Sequence, residues 1–308
     1  MRLVPLVLSA AGLLSAQTVL IPQVDGPWWQ VAGDPDLGRL ATPKQQPVDF
    51  AVWQAADGAW QLWSCIRHTA ETGRTRLFHR WQGARITDRD WVPVGVAMQA
   101  DPGFGETPGG LQAPHVIKVG REYIMHYGDW ENICQARGVD GKTFARQLQP
   151  NGKSGLFTEG PGVNTRDVMV LRVGRLWHAY YTAYPDKKGA DYVRTSKDLL
   201  HWGKSKIVAA GGSAGDGPYS AECPFVYFHK DSGYYYLFRT QRYGERAQTS
   251  VYRSKDPMNF GVNDDRYLVT TMPLAAPEIV EDGGDLYIAA LLPSLKGIQI
   301  ARLKWAPK

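Results

Sequence analysis

Three carboxylates stand at the same kind of place in this chain. Asp49 precedes FAVW, Asp167 precedes VMVL, and Glu222, within YSAECPF, precedes the apolar run FVYF. A single acid at the entrance to a buried strand is ordinarily a solvated or capping residue. Three brought into one funnel mean more, because carboxylates crowded together push at least one pKa upward. A carboxyl raised in this way can donate a proton, while an ionised partner across a small molecule activates water or attacks carbon. Such a pair is the apparatus that breaks a glycosidic bond.

Whether these acids meet depends on the elements that carry them. Five segments share one plan: VDFAVWQAADGAWQLWSC from Val48, APHVIKVGREYIMHYGDW from Ala113, RDVMVLRVGRLWHAYYTAY from Arg166, AECPFVYFHKDSGYYYLFRT from Ala221 and APEIVEDGGDLYIAALLP from Ala276. Each has a polar or ionisable residue, a short apolar strand, a Gly-containing turn and an aromatic-rich second strand, which is a β-hairpin. The leading residues Asp49, His115, Asp167, Glu222 and Glu278 are separated by 66, 52, 55 and 56 positions, the interval of one four-stranded propeller blade. ICQARGVDGKTF, YVRTSKDLLHW and SVYRSKDPMNF supply the later strands of three units. The expectation is an all-β, five-bladed β-propeller with four antiparallel strands per blade, spanning residues 17–308. Two stacked β-sandwiches could use as many strands but would not explain the regular interval. The fifth unit ends at KGIQIARLKW without a fourth strand, so TVLIPQVDGPWW near the N-terminus is expected to cover that edge and close the ring.

In a propeller the first strand of each blade lines the axis, and the antiparallel second strand returns to the same rim. Arg67, His68, Asp129, Trp130, Tyr184 and the run Arg239 to Tyr243 should therefore surround the five leading residues. Trp53, Trp130, Tyr184 and Tyr219 are candidates to stack on a sugar ring. Arg166 would hold a substrate oxygen or pair with Asp167, and Arg239 is a further binding candidate. His115 reads either as a ligand to a sugar hydroxyl or as a satisfied structural histidine. Glu278 reads as a rim or axis residue. The loop FGETPGG from Phe104 should shape the pocket, but it lacks the strand and helix of a phosphate-binding loop.

Arg166-Asp167-Val168 and Glu222-Cys223-Pro224, with the phrases APHV, APEI and SKDLLHW, make the chain from about Val48 to its C-terminus resemble glycoside hydrolase families 43 and 32. These are five-bladed propeller enzymes that cut arabinans, xylans and fructans. The resemblance implies Glu222 as general acid, Asp49 as base or nucleophile, and Asp167 as the group that orients Glu222 or the sugar and keeps the acid's pKa high. Asp49 is followed by Phe50, and Asp167 by Val168 where those families place proline; Asp34, Asp36 and Glu106 stay open as sources of the first carboxylate. The implied activity is hydrolysis of a plant or microbial glycan, with inversion. The alternatives are a non-catalytic carbohydrate-binding propeller and a propeller glycoside phosphorylase, which would need a phosphate cluster such as Arg239, Arg242 and His68.

The rest of the chain restricts the partners. A net charge of +5 comes from scattered basic residues with no run of five, so no nucleic-acid partner is expected and only a weak bias toward acidic substrates. Residues 1–16, with Arg2, an apolar stretch from Leu3 to Leu14 and small residues Ser15 and Ala16, read as a secretory signal rather than a membrane span. A secreted or periplasmic monomer acting on an oligo- or polysaccharide follows. Cys65, Cys134 and Cys223 match no zinc spacing or disulfide framework. They read as buried thiols, with a Cys65–Cys134 bridge left open; neither cofactor nor metal is expected.

Overall fold

The computed structural model describes residues 18–308, so the expected signal segment 1–16 lies outside the described residues. Five antiparallel sheets are arranged as the blades of a β-propeller. Blade one runs outward from the axis through Gln46–Gln54, Trp60–Arg67, Leu77–Gly83 and Val92–Met98. Blade three uses Arg166–Val173, Leu176–Ala183, Ala190–Ser196 and Lys206–Ala210, and blade four Glu222–His229, Tyr234–Arg242, Gln248–Ser254 and Leu268–Met272. Blade two is looser. After Gln112–Val119, Glu122–Gly128 and Ile133–Gly138, its outer edge is shared by the short strands Ala145–Arg146 and Gly155–Phe157.

Blade five closes the ring. Its own strands are Glu278–Asp282, Asp285–Leu291 and Gly297–Pro307, and the fourth is Leu20–Gly33 from the other end of the chain, antiparallel from Leu20↔Pro307 to Gly33↔Gly297. The expected closing segment therefore occupies its expected place. It leaves no unpaired edge on Gly297–Pro307, the liability that an open ring would carry.

Burial follows radial position. The second strand of blade one is buried along nearly its whole length, as strands covered on both faces must be. The outer strand Val92–Met98 is mostly exposed and is interrupted by Pro93 and Gly95, residues that blunt an edge. Large aromatics fill the gaps between blades. Tyr127, Tyr180, Tyr181, Tyr236 and Phe238 are all fully buried, which is where most of the chain's aromatic content is spent. Cys65 and Cys134 are buried free thiols. Among the described residues no helix is long and apolar enough to cross a membrane.

Candidate active site

The inner strands of blades one to four begin with the same irregularity. Pairing is regular up to one residue, shifts by one, and resumes: Arg166↔Thr182 then Met169↔Tyr180, Glu222↔Thr240 then Phe225↔Phe238, Gln112↔Gly128 then His115↔His126. At each shift stands a non-glycine residue with positive φ, namely Asp49 (40°), Ala113 (39°), Asp167 (57°) and Cys223 (48°), and Ala276 (50°) adopts the same conformation just ahead of the first strand of blade five. A bulge of this kind bends the strand and re-aims its side chains. The left-handed conformation is tolerated best by Asp among these residue types.

The bulges sort the inner-strand residues into layers about the axis. The residues just before them, Gln112, Arg166 and Glu222, line a cavity of about 570 Å³ together with Asp49. The positive-φ residues form the throat beneath it. Two positions further on, His115 and Glu278 line a small axial pocket of about 30 Å³. Equal spacing along the chain therefore hides three depths, and His115 and Glu278 are not counterparts of Asp49. Their side chains face each other, with His115 Nδ1 4.0 Å from Glu278 Oε1, and Glu278 Oε2 accepts from the Val52 N–H at 3.1 Å. Burial raises the Glu278 pKa. His115 Nε2 lies 3.4 Å from the Val170 carbonyl, so both residues belong to the axis and neither lines the large cavity.

The three carboxylates do come together. Arg166, itself buried, joins two of them: its Nη2 donates to Glu222 Oε1 at 2.7 Å and its Nε lies 3.5 Å from Asp167 Oδ2. Burial works against the guanidinium's charge, but Glu222 and Asp167 hold its pKa above the ordinary value. Asp167 is only 4% exposed; its Oδ2 also accepts the Cys223 backbone N–H at 3.1 Å, and its Oδ1 is buried with no protein partner. Burial pushes the Asp167 carboxyl up to about 7, with Arg166 opposing and Asp49 and Glu222 adding to the rise. Glu222 is likewise raised by burial, against the pull of Arg166. Asp49 accepts on Oδ1 from the Cys223 thiol at 3.3 Å, and that sulfur lies 3.2 Å from the Tyr243 hydroxyl. Burial, with these carboxylates beside it, keeps Cys223 a thiol.

Tyr184, Tyr219 and Trp130 also line the large cavity. Arg166 lies over the Tyr184 ring at 5.0 Å, and Tyr219 packs edge-on against Tyr184. Trp53 does not reach it. Four residues down the inner strand from Asp49, Trp53 is buried against Trp63 and Phe144, with its Nε1 donating to the Gly141 carbonyl at 2.7 Å. Arg239 is absent from the wall too. It is fully buried and donates to the carbonyls of Ser220, Gly211 and Gly215 at 2.8, 3.2 and 2.9 Å, clamping the loop that leads into Glu222. None of the three alternative carboxylates competes with Asp49: Asp34 pairs with Lys296 at the surface, and Glu106 is buried with Arg146 and Tyr127. Asp36 caps the Gly38 N–H.

Several wall residues escaped the sequence reading, among them Gln112, Asn164, Arg76 and Arg246. Gln112 had a signal, since it stands immediately before the bulge as Arg166 and Glu222 do. Arg76 and Arg246 arrive on loops after second strands, where no repeat pattern marks them. Among the described residues no group of three His, Cys, Asp or Glu side chains gathers as a metal site.

No protein-family model matches the chain, and no curated protein matches it. Solved structures do share the fold. A thermostable family-43 glycoside hydrolase superimposes with TM-score 0.60 at 16% identity, covering 89% of this chain and 92% of its own. An endo-1,4-beta-xylanase from Bacteroides thetaiotaomicron gives 0.63 at 15% identity, with 87% and 97% covered. The Bombyx mori GH32 beta-fructofuranosidase gives 0.60 at 15% identity over 89% of this chain, which spans only 61% of that longer protein.

Proposed function

We propose that this chain is a glycoside hydrolase that cleaves a saccharide in the cavity at the mouth of the propeller, with Glu222 as general acid and Asp49 as general base. The observation that carries the reading is convergence: acids from blades one, three and four, remote in sequence, meet around one buried arginine. The fold is that of glycoside hydrolases, two of which are described in complex with xylotriose.

The two cavity carboxyls are prepared in different ways. Glu222 has one oxygen held by Arg166, while Oε2 has no protein partner among the described residues. Burial raises its pKa against the pull of Arg166, the direction that favours a protonated carboxyl whose Oε2 faces the leaving oxygen. Asp49 has Oδ1 held by the Cys223 thiol, leaving Oδ2 to take a proton from water. Asp167 sits below both and acts by position. It tethers Arg166, which in turn fixes Glu222. Tyr219, the exposed aromatic of the wall, offers its ring to the sugar, whereas Tyr184 and Trp130 carry arginines over theirs.

The substrate belongs to the plant or microbial glycans of the arabinan, xylan or fructan kind, cut with inversion, and the protein works outside the cytoplasm after loss of residues 1–16. Release of reducing sugar from a panel of polysaccharides and aryl glycosides tests the activity. In Glu222→Gln, turnover of an unactivated substrate should fall by about 10²–10⁴ with the thermal melt unchanged. Wild-type turnover in that variant would overturn the assignment.

A further inference from the structure

The large cavity is lined by five arginines, Arg67, Arg76, Arg166, Arg242 and Arg246, against two carboxylates, Asp49 and Glu222. Arg166 is committed to the acids. The other four make no ion pair among the described residues. Their donors are also mostly unused. Arg67 gives one hydrogen bond, Nε to Gln46 Oε1 at 2.9 Å, and Arg76 only a long contact of 3.9 Å to the Cys65 sulfur. Neither Arg242 nor Arg246 donates from its side chain to any described residue. Arginines elsewhere in the fold are treated differently: Arg146, Arg194 and Arg239 each donate several hydrogen bonds to carboxylates, hydroxyls or backbone carbonyls.

Arg76 is also braced. Its guanidinium lies 5.2 Å from the Trp130 ring centre, with Arg74 at 4.4 Å on the same ring. The loop that carries it is tied by Arg74 N–H to the Pro108 carbonyl and Arg76 N–H to the Gly109 carbonyl, both at 2.9 Å. The approach is so close that a Cβ on Gly109 would lie 2.2 Å from the Thr72 carbonyl oxygen. The GETPGG loop thus buttresses an arginine in the cavity wall. A half-buried guanidinium with spare, fixed donors suits a planar oxyanion, to which it binds through two parallel hydrogen bonds.

The geometry points to an acidic saccharide as the substrate: a uronosyl residue whose carboxylate is bound by Arg76 with Arg67, Arg242 and Arg246, beside the Asp49–Glu222 pair. This rests on the glycosidase reading and narrows it. A second source of the same oxyanion chemistry is free inorganic phosphate, and the test separates the two.

Binding is measured by calorimetry on the full chain carrying Glu222→Gln, so that turnover does not intervene. The ligands are oligouronides, neutral oligosaccharides of equal length, and inorganic phosphate. The oligouronide should bind at least about tenfold more tightly than its neutral counterpart, lose that advantage in Arg76→Met, and weaken as salt rises. Arg76→Lys, which keeps the charge but not the fork, should recover only part of it. If Arg76→Met fails to fold, Arg242→Met, whose exposed side chain makes no hydrogen bond among the described residues, carries the same expectation. Equal affinity for neutral and acidic ligands, or unchanged affinity in the arginine variants, overturns the inference. Phosphate binding that outcompetes the oligouronide, with glycosyl phosphate as the product of the wild-type chain, overturns it in favour of phosphorolysis. Tight uronide binding by a wild-type chain that hydrolyses nothing would sustain the anion site and sink the glycosidase reading instead.

Discussion

Asp167→Asn isolates the cost of the central carboxylate. An Asp in the unfolded chain titrates near 3.8, whereas burial holds Asp167 near 7. The folded state therefore keeps a proton that the unfolded state has released, and stability falls as pH rises through that window. About three pH units at about 1.4 kcal/mol each set the full penalty at about 4 kcal/mol, reached above pH 7 and absent below pH 4. Asparagine suits the exchange. It tolerates the positive φ of 57° and retains an acceptor for the Cys223 N–H. The value of about 7 already contains the attraction of Arg166, so the variant should exceed wild type by up to about 4 kcal/mol at pH 8 and by almost nothing at pH 4. Urea unfolding of both proteins between pH 4 and pH 8.5 measures the difference. The same variant should lose turnover, since Arg166 and Glu222 are no longer held in register. A pH-independent difference, or a less stable variant at pH 8, would refute the argument that Asp167 is a strained, buried charge.

Arg239→Met should destabilise the fold by about 3–5 kcal/mol, because Asp191 loses its 3.9 Å neighbour and three loop carbonyls lose their donor; denaturant melts measure this. Trp53→Phe removes the bond to the Gly141 carbonyl and part of the ring packing against Trp63 and Phe144, so it should cost about 1–3 kcal/mol of stability and leave KM unchanged, an outcome that steady-state kinetics would contradict if Trp53 stacked on substrate. Proton NMR of the first-formed sugar should show the anomer opposite to that of the substrate, and accumulation of the retained anomer would assign Asp49 as a nucleophile instead.

The fivefold repeat makes the architecture legible in the sequence. Hairpins recurring at a nearly constant interval leave few ways to bury five apolar faces, and the missing fourth strand of the last unit pointed to Leu20–Gly33 as its partner. Depth along the axis was not readable. A one-residue bulge separates Glu222 from the counterparts of Asp49, and periodicity carries no trace of it, so spacing alone sets His115 and Glu278 in one ring with the acids. The positions of Trp53 and Arg239 away from the cavity wall are hidden for a related reason. Alternation tells which face of a strand a residue occupies, but not whether that face meets the axis or the next blade. The arginine wall was hidden because its members come from separate loops, and scattered basic residues look the same in sequence whether or not folding gathers them.

The central claim is that Glu222 passes a proton to the leaving oxygen, and leaving-group dependence tests it most directly. In Glu222→Gln, kcat/KM for an oligosaccharide or alkyl glycoside should drop by about 10³-fold, while a dinitrophenyl glycoside, whose leaving group needs no proton, should lose less than about tenfold. Equal losses on both substrates would contradict the claim and return Glu222 to a structural partner of Arg166.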